Sequence, residues 1–532
     1  MSGQNKGLNI GTNVYTLIGV VMLSSIFSTI MISILLFSLR HEIYKNNASN
    51  PMQSIQLQQN PTSSISPTSS KPMSDCVPSN DQLSFIGAPH TFNLQTAQRY
   101  AHFVNAATCL RDISEALTEI IQEHFSKVTH VVMLGVPSHP NLGDQLLWAA
   151  SVNALQRIGK KVIYVCTTLG YRDDSYDPAK ARCNVKGAIE ERLRSSALRN
   201  VQKRKIGFAL QPGGNWGSLW AFNHKGRPQM INYLLRSNFT VVQLPQSINY
   251  QGSPHIAGQD YDVMFESLNK EQEKRFLLMI REVPGFVFWA GLKQNARQND
   301  TLEGMAMSDR ILQAIAAHAN ISVANMSLPH LETIPSRQIN QLYQGRMSVK
   351  LAPDNAFSLG LQLAHGTNPK DRVDIGFLLR DDKEGQEHYK VSHVSEMVNR
   401  VNQSLTYMVG DWKDAGQTFY SSHAHDYLIG STMSIPWVLS EMAQSFVSSS
   451  RVTVTNRLHG TVVSILLNKP SVIINDRYRK IETTLTAAFG FSESCNFEKL
   501  RIRIASNLPE AIEIANQIVA DTSMTPSISE WY

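Results

Sequence analysis

Ser450 to Ile481 reads SRVTVTNRLHGTVVSILLNKPSVIINDRYRKI. Arg451–Thr455 alternates as a short half-buried strand does, Thr461–Leu467 is an apolar run ended by Asn468 and Pro470, and Ser471–Ile474 is strand-like again. The stretch therefore predicts strand, turn, helix and strand, with Asn456-Arg457-Leu458-His459-Gly460 at the turn. A helix N-terminus at the carboxyl edge of a parallel sheet offers backbone N–H groups and the positive end of a dipole, which suits an anion. Arg457 adds a permanent planar cation, and His459 adds a group whose unperturbed pKa is ~6.5. Gly460 leaves room for a ligand to approach the backbone. The same residues also read as an ordinary βα turn whose Arg makes a salt bridge and whose His is merely polar.

At 532 residues the chain has room for two to four domains. A hydrophobic fraction of 42% and a charged fraction of 17% allow sizeable cores. The net charge of +6 fits anionic ligands without calling for nucleic acid, and no aromatic–basic signature of RNA binding is present. The five cysteines have no metal-ligand spacing, and no metal site is expected. One disulfide is compatible with an oxidising lumen, but the sequence does not identify the pair.

No charge occurs between Lys6 and Arg40. Residues 14–39 are apolar enough, and longer than the ~20 residues a helix needs, to cross a bilayer. No short apolar core with a small-residue cleavage site is seen, so the run reads as an uncleaved anchor. Residues 40–92 are rich in Ser, Thr, Pro, Gln and Asn and cannot bury enough apolar surface to order themselves, as in a stem. A cytosolic tail over residues 1–13, one span, a stem and a large domain is the plan of a type II Golgi membrane enzyme with a lumenal catalytic domain. The Asn-x-Ser/Thr acceptors Asn47, Asn238, Asn299, Asn320, Asn325 and Asn402 agree with that plan.

The globular part begins near Asn93. Leu110, Ile113, Leu117 and Ile120 have helical spacing, and strands are expected at Val131–Val136, Val162–Cys166, Ile206–Leu210, Val241–Leu244, Phe286–Trp289 and Val349–Ala352. Helix-length segments such as Gln145–Ile158 and Lys270–Arg281 lie between them. Phe357–Arg372 reads as a linker, and a second set follows: strand Ile375–Leu379, helix His393–Gln403, the opening motif, and a last helix over Pro509–Val519. This alternation predicts an α/β fold of two Rossmann-like domains over residues 93–365 and 366–522, with an irregular insertion at 294–340.

Four polar turns fall at strand ends, where open α/β sheets bind ligands. Asn141-Leu142-Gly143-Asp144 can cradle an anion or hydroxyls, or Asp144 can simply cap the helix. Gln211-Pro212-Gly213-Gly214-Asn215-Trp216-Gly217 pairs glycines with Trp216 and Trp220, whose faces suit a sugar ring or a core. Leu244-Pro245-Gln246-Ser247 and Ala352-Pro353-Asp354-Asn355-Ala356-Phe357 end two further strands. Asp260-Tyr261-Asp262 has the Asp-x-Asp pattern by which many sugar-nucleotide transferases hold a metal, and reads more simply as a loop at a helix start.

These turns, in this order and ending with Asn456–Gly460, resemble the polysaccharide pyruvyl transferase family from about Val131 to Ile481. The resemblance implies two Rossmann-like domains in a GT-B-like arrangement and transfer of the enolpyruvyl part of phosphoenolpyruvate onto a sugar, commonly as a ketal. Members of similar layout act on terminal galactose of glycans. It implies that Arg457 and His459 bind the donor and serve the chemistry. The donor side is then expected at Arg457, Leu458, His459, Gly460, Arg380 and Lys480, with no cofactor beyond the donor substrate. The acceptor side is expected at Asn141, Asp144, Gly213, Gly214, Asn215, Trp216 and Gln246.

Two stretches depart from the family pattern. An Arg then a Ser is expected shortly after the strand at Phe286–Trp289, where this chain reads Ala290-Gly291-Leu292-Lys293-Gln294. Asp-Asn-x-Tyr-Gly-Lys is expected after the Ser471 strand, where it reads Asn475-Asp476-Arg477-Tyr478-Arg479-Lys480. Two other readings stay open: a nucleotide-sugar glycosyltransferase of the GT-B shape, and a catalytically silent glycan-binding protein, which the missing Arg motivates.

Overall fold

The structure, a computed structural model, describes residues 94–137, 141–167, 201–217, 226–250, 254–295, 334–342, 348–362, 372–380, 389, 391–412, 434–475 and 479–521. All of them belong to one compact unit, His90–Tyr532. The expected anchor over residues 14–39 and the stem over 40–92 lie outside the described residues. No helix among the described residues is long and apolar enough to cross a membrane.

Two parallel sheets carry the unit. The first contains β1 (His130–Val136), β2 (Lys161–Thr167), β3 (Ile206–Leu210), β4 (Gly213–Trp216), β5 (Thr240–Ile248), β6 (Phe276–Ile280) and β7 (Ser348–Leu351), in the order β2-β1-β3-β5-β6-β7 with β4 paired to β5. The second contains β8 (Val373–Leu378), β9 (Tyr407–Gly410), β10 (Ser450–Thr455), β11 (Ser471–Ile474) and β12 (Ile502–Ala505), in the order β12-β11-β10-β8-β9. Every strand pair is parallel. A parallel sheet needs crossovers, and helices supply them.

The strand order reverses between β1 and β3 in the first sheet and between β8 and β10 in the second. Such switch points open a crevice beyond the carboxyl ends of the strands. The Asn141 and Gly213 turns leave the first crevice, and Arg380 and Asn456 leave the second.

The helices are α1 (Leu94–His124), α2 (Leu142–Arg157), α3 (Arg227–Arg236), α4 (Pro254–Phe265), α5 (Lys270–Glu273), α6 (Val283–Asn295), α7 (Ser336–Leu342), α8 (Val391–Val401), α9 (Ser434–Ser448), α10 (Leu458–Leu466), α11 (Lys480–Phe489) and α12 (Leu508–Ala520). Asn side chains start several of them. Asn141 accepts from the Gly143 N–H, Asn269 forms a capping box with Gln272, and Asn507 accepts from the Glu510 N–H.

One core is continuous from the first sheet through α2 to α10 and α11 of the second, and a smaller core lies between the second sheet, α8 and α12. The two parts are also tied by specific bonds. Cys109 of α1 is disulfide-bonded to Cys495, 386 residues away. Close by, the Ser492 hydroxyl donates to Asp112 at 2.7 Å. Ser336 and Arg337 donate to the carbonyls of Ala487 and Phe491 at 2.7 and 3.0 Å.

Three expectations are corrected. Phe286–Trp289 is not a strand but part of the helix α6, and the strand of that region is Phe276–Ile280, inside the segment read as a helix. Both runs are buried and apolar, and periodicity alone does not separate a wholly buried strand from a buried helix. Phe357–Arg372 is not a linker from its start. Phe357 is fully buried, the Ser358 hydroxyl donates to the Ala150 carbonyl at 2.6 Å, and Gln362 N–H donates to the Leu466 carbonyl at 2.7 Å. Ser336–Leu342 is a helix that begins within the expected irregular insertion at 294–340 and runs past its end; residues 296–333 lie outside the described residues.

Candidate active site

The turns at the strand ends meet across the two sheets. After β1, Asn141 caps α2, and its amide donates to Asp144 Oδ2 at 3.0 Å. The cap is thus Asn141 rather than Asp144, and Asp144 stands in the first turn. Gly143 faces the second sheet: a Cβ there would lie 2.5 Å from His459 Nδ1. Its bare Cα is what lets the imidazole lie against α2.

After β3 the chain turns at Gln211, whose carbonyl accepts from the buried amides of Gln243, at 2.7 Å, and Gln246. Gln246 is therefore a brace of this turn and not an acceptor contact, as expected from sequence. Trp216 is corrected in the same way. It is 1% exposed, its indole N–H donates to Tyr250 at 3.0 Å, and Trp289 meets it edge-to-face at 5.6 Å. No face is left for a sugar ring; Trp220 and the Asn215 side chain lie outside what is described. Tyr250 in turn donates to Asp260 Oδ2 at 3.0 Å, so Asp260-Tyr261-Asp262 lies within α4 rather than at a loop. Among the described residues no group of three or more His, Cys, Asp or Glu is placed to hold a metal.

Gly214 has a different neighbourhood. A Cβ on it would stand 2.6 Å from Lys480 Nζ and 3.2 Å from Arg281 Nη2. Lys480 opens α11 of the second sheet, whereas Arg281 directly follows β6 of the first. Two cations from opposite sheets thus converge on a glycine at a strand end. Arg281 was missed by the sequence reading because its strand was misplaced. With β6 at Phe276–Ile280, the Arg expected after this strand is present as Arg281, followed by Glu282 where a Ser was expected. Lys293 belongs to α6.

Arg281 is buried and rigidly held. Its Nε donates to Ser247 Oγ at 2.8 Å and its Nη1 to Asp354 Oδ2 at 2.5 Å, with both charged side chains 1% exposed. The same Asp354 oxygen lies 3.7 Å from His459 Nε2. Burial alone would push the Asp354 carboxyl up, but the charge of Arg281 and the contact with His459 outweigh it and hold the group well below the usual carboxylate range. Glu282, next in the chain, shifts the other way. Burial raises it against the pull of Arg281, the Ile248 N–H, Ser247 and Lys480.

The opening motif divides between the site and its support. His459 joins the cluster just described. Arg457 Nη2 instead meets the Asp411 carboxylate at 2.6 Å, beyond the end of β9. That is the salt bridge of the simpler reading, and it ties two strand ends of the second sheet. Asn456 accepts from the Arg380 N–H at 2.7 Å, closing the β8–β10 switch point. Leu458 is buried in the core. Gly460 is required by packing, since a Cβ there would meet Leu378 Cδ2 at 2.7 Å and Thr455 Oγ1 at 2.8 Å. It is not an opening for a ligand.

The two glycines give a direct test. Gly214→Ala should drive Lys480 and Arg281 apart and weaken an anionic ligand about tenfold or more. Gly143→Ala should displace His459 and lower turnover with little loss of binding. Equal small effects on both quantities in both variants would show that the two clusters are not a site.

The polysaccharide pyruvyl transferase family matches residues 331–477, the part holding Asp354, Arg457 and His459. A fission yeast protein, Pyruvyl transferase 1 of Schizosaccharomyces pombe, is 21% identical over 392 residues, covering 70% of this chain and 73% of its own. The crystal structure of an uncharacterized protein from Klebsiella pneumoniae aligns with 74% of this chain and 99% of its own, at 13% identity and a TM-score of 0.37, too loose to define a shared arrangement. The family's match spans β7 and most of the second sheet, so the chain carries a polysaccharide pyruvyl transferase domain and is a transferase.

Proposed function

We propose that the chain transfers the enolpyruvyl group of phosphoenolpyruvate to hydroxyls of a glycan, as a ketal on terminal galactose. The observation that carries this reading is the convergence of Arg281 and Lys480 on Gly214, beside His459. Phosphoenolpyruvate bears a phosphate and a carboxylate within one small molecule, and fixed cations on two sides match both. With Nε on Ser247 and Nη1 on Asp354, Arg281 turns Nη2 toward Gly214, and Lys480 serves as a point charge.

In this chemistry His459 gives a proton to the methylene carbon of the donor, which leaves an oxocarbenium-like centre at the adjacent carbon. An acceptor hydroxyl oxygen bonds to that carbon as its own proton is released, restoring His459. The bond to the phosphate oxygen then breaks, phosphate departs with the electron pair, and a second hydroxyl closes the ketal as its proton passes to the departing phosphate. A positioned acid of this kind contributes ~10²–10⁴ in rate. Arg281 at the end of β6 removes the motive for a silent glycan-binding protein.

Purified protein with phosphoenolpyruvate and galactose-terminated acceptors should release inorganic phosphate, and phosphoenolpyruvate should raise its melting temperature where uridine and guanosine diphosphates do not. Stabilisation by a nucleoside diphosphate, with turnover of its sugar and no phosphate release, would favour a GT-B glycosyltransferase.

The proposed setting is the Golgi lumen, with residues 14–39 as a type II anchor, residues 40–92 as the stem and the two sheets in a GT-B-like arrangement. The Cys109–Cys495 disulfide supports an oxidising compartment. Asn238 is exposed at a left-handed turn with φ 62°, a suitable place for a glycan. Asn402 is less suitable, because its amide donates to Asn516 at 3.2 Å. Asn47 and the acceptors at Asn299, Asn320 and Asn325 lie outside the described residues. Glycosidase treatment should increase mobility, and Asn238→Gln should remove part of that shift. An unmodified chain cleaved by protease from the cytosolic side would contradict the topology.

A further inference from the structure

Asp354 is a carboxylate that neither the sequence motifs nor the proposed chemistry assigns a role. It is 1% exposed and lies where three strand ends meet: its own after β7, Arg281 after β6, and His459 after β10. One oxygen, Oδ1, accepts from the Ala356 N–H at 2.9 Å and starts the turn at Asn355–Leu359. The other, Oδ2, takes Arg281 Nη1 at 2.5 Å and faces His459 Nε2 at 3.7 Å. The two imidazole nitrogens therefore have opposite surroundings. Nδ1 lies against the Cα of Gly143, which has no polar atom to offer, while Nε2 is buried and turned to a carboxylate. In a histidine, the nitrogen that faces an acceptor keeps the proton.

We propose that Asp354 is a positioning residue that keeps a ring proton of His459 on Nε2, the nitrogen on the side of Arg281, and leaves Nδ1 to exchange a proton with the donor. The inference rests on the reading of this site as a phosphoenolpyruvate-dependent transferase. Arg281 and His459 then share one counter-ion. The residue that orients the cation of the donor site also orients the acid, and a single side chain sets the distance between binding and chemistry. The other charged groups of the cluster are Lys480, at Gly214, and Glu282, whose carboxylate accepts from the Ile248 N–H at 2.8 Å. Neither is at Nε2 in the contacts described.

The test is nitrogen-15 and carbon-13 NMR of the full-length protein labelled in histidine, with the His459 signals assigned by their loss in His459→Gln. In the wild type the proton should be found on Nε2. Asp354→Asn keeps the shape and can still cap the turn with its one oxygen, since Asn is as good a cap as Asp, and it then turns an amide donor toward Arg281 and His459. It should shift the proton toward Nδ1 and lower kcat with phosphoenolpyruvate ~10²–10⁴-fold. The affinity for phosphoenolpyruvate should fall much less than kcat, because Arg281 keeps its bond to Ser247. A merely structural Asp354 would lower the melting temperature without moving the tautomer or separating kcat from affinity. A wild-type proton on Nδ1 overturns the proposal without recourse to any Asp354 variant, which decides the matter even if Asp354→Asn does not fold. Wild-type protein that does not turn over phosphoenolpyruvate would instead overturn the donor assignment, while the wild-type tautomer still tests the role of Asp354.

Discussion

A carboxylate with 1% of its side chain exposed stays ionised here because a guanidinium lies 2.5 Å from it. The Arg281–Asp354 pair is the constraint on which the rest of the site depends. Removing two charges from water costs several kcal/mol per ion, so such a pair is weak evidence of added stability. Breaking it is another matter, since either partner alone leaves a buried charge uncompensated. Its value lies in geometry: it locks the ends of β6 and β7 together, leaves Arg281 Nη2 toward Gly214, and presents Asp354 Oδ2 to His459.

From that pair the architecture follows as a meeting of carboxyl edges. Gly143 after β1, Gly214 after β3, Arg281 after β6 and Asp354 after β7 come from one sheet; His459 after β10 and Lys480 after β11 come from the other. Parallel sheets direct all their βα turns to one edge, so two such edges in apposition collect turns distant in sequence. The continuous core through α2, α10 and α11 and the Cys109–Cys495 bond hold that apposition. Arg457 and Asp411 form the corresponding tie within the second sheet.

Much of this was legible in the sequence, and the failures have physical causes. Strands β3 and β11 fall where the apolar runs at Ile206–Leu210 and Ser471–Ile474 place them, and His459 and Lys480 lie at the turns that the motifs predict. The strand β6 was misread because Phe276–Ile280 and Phe286–Trp289 are both short buried apolar runs, which periodicity alone does not tell apart. A usable signal was present: Asn269 and Gln272 form a helix start with only one turn before Phe276, too short for the helix expected there. With that strand shifted, Arg281 would have been found. Trp216 and Gln246 were misjudged because a polar or aromatic residue at a turn looks the same in sequence whether it faces a ligand or the core. The pairing of Cys109 with Cys495 spans 386 residues and leaves no local trace.

The central claim is that one small dianion is held between the two sheets by Arg281 and Lys480. Calorimetric titration of phosphoenolpyruvate into the wild type, Arg281→Ala, Lys480→Ala and the double variant tests it most directly, with circular dichroism to establish that each is folded. Charge-assisted bonds to a phosphate or carboxylate contribute ~1.5–3 kcal/mol each, so each single substitution should weaken binding roughly tenfold or more. Because the cations would share one ligand, the loss in the double variant should differ from the product of the two single losses. Unchanged affinity in either folded single variant would contradict the account.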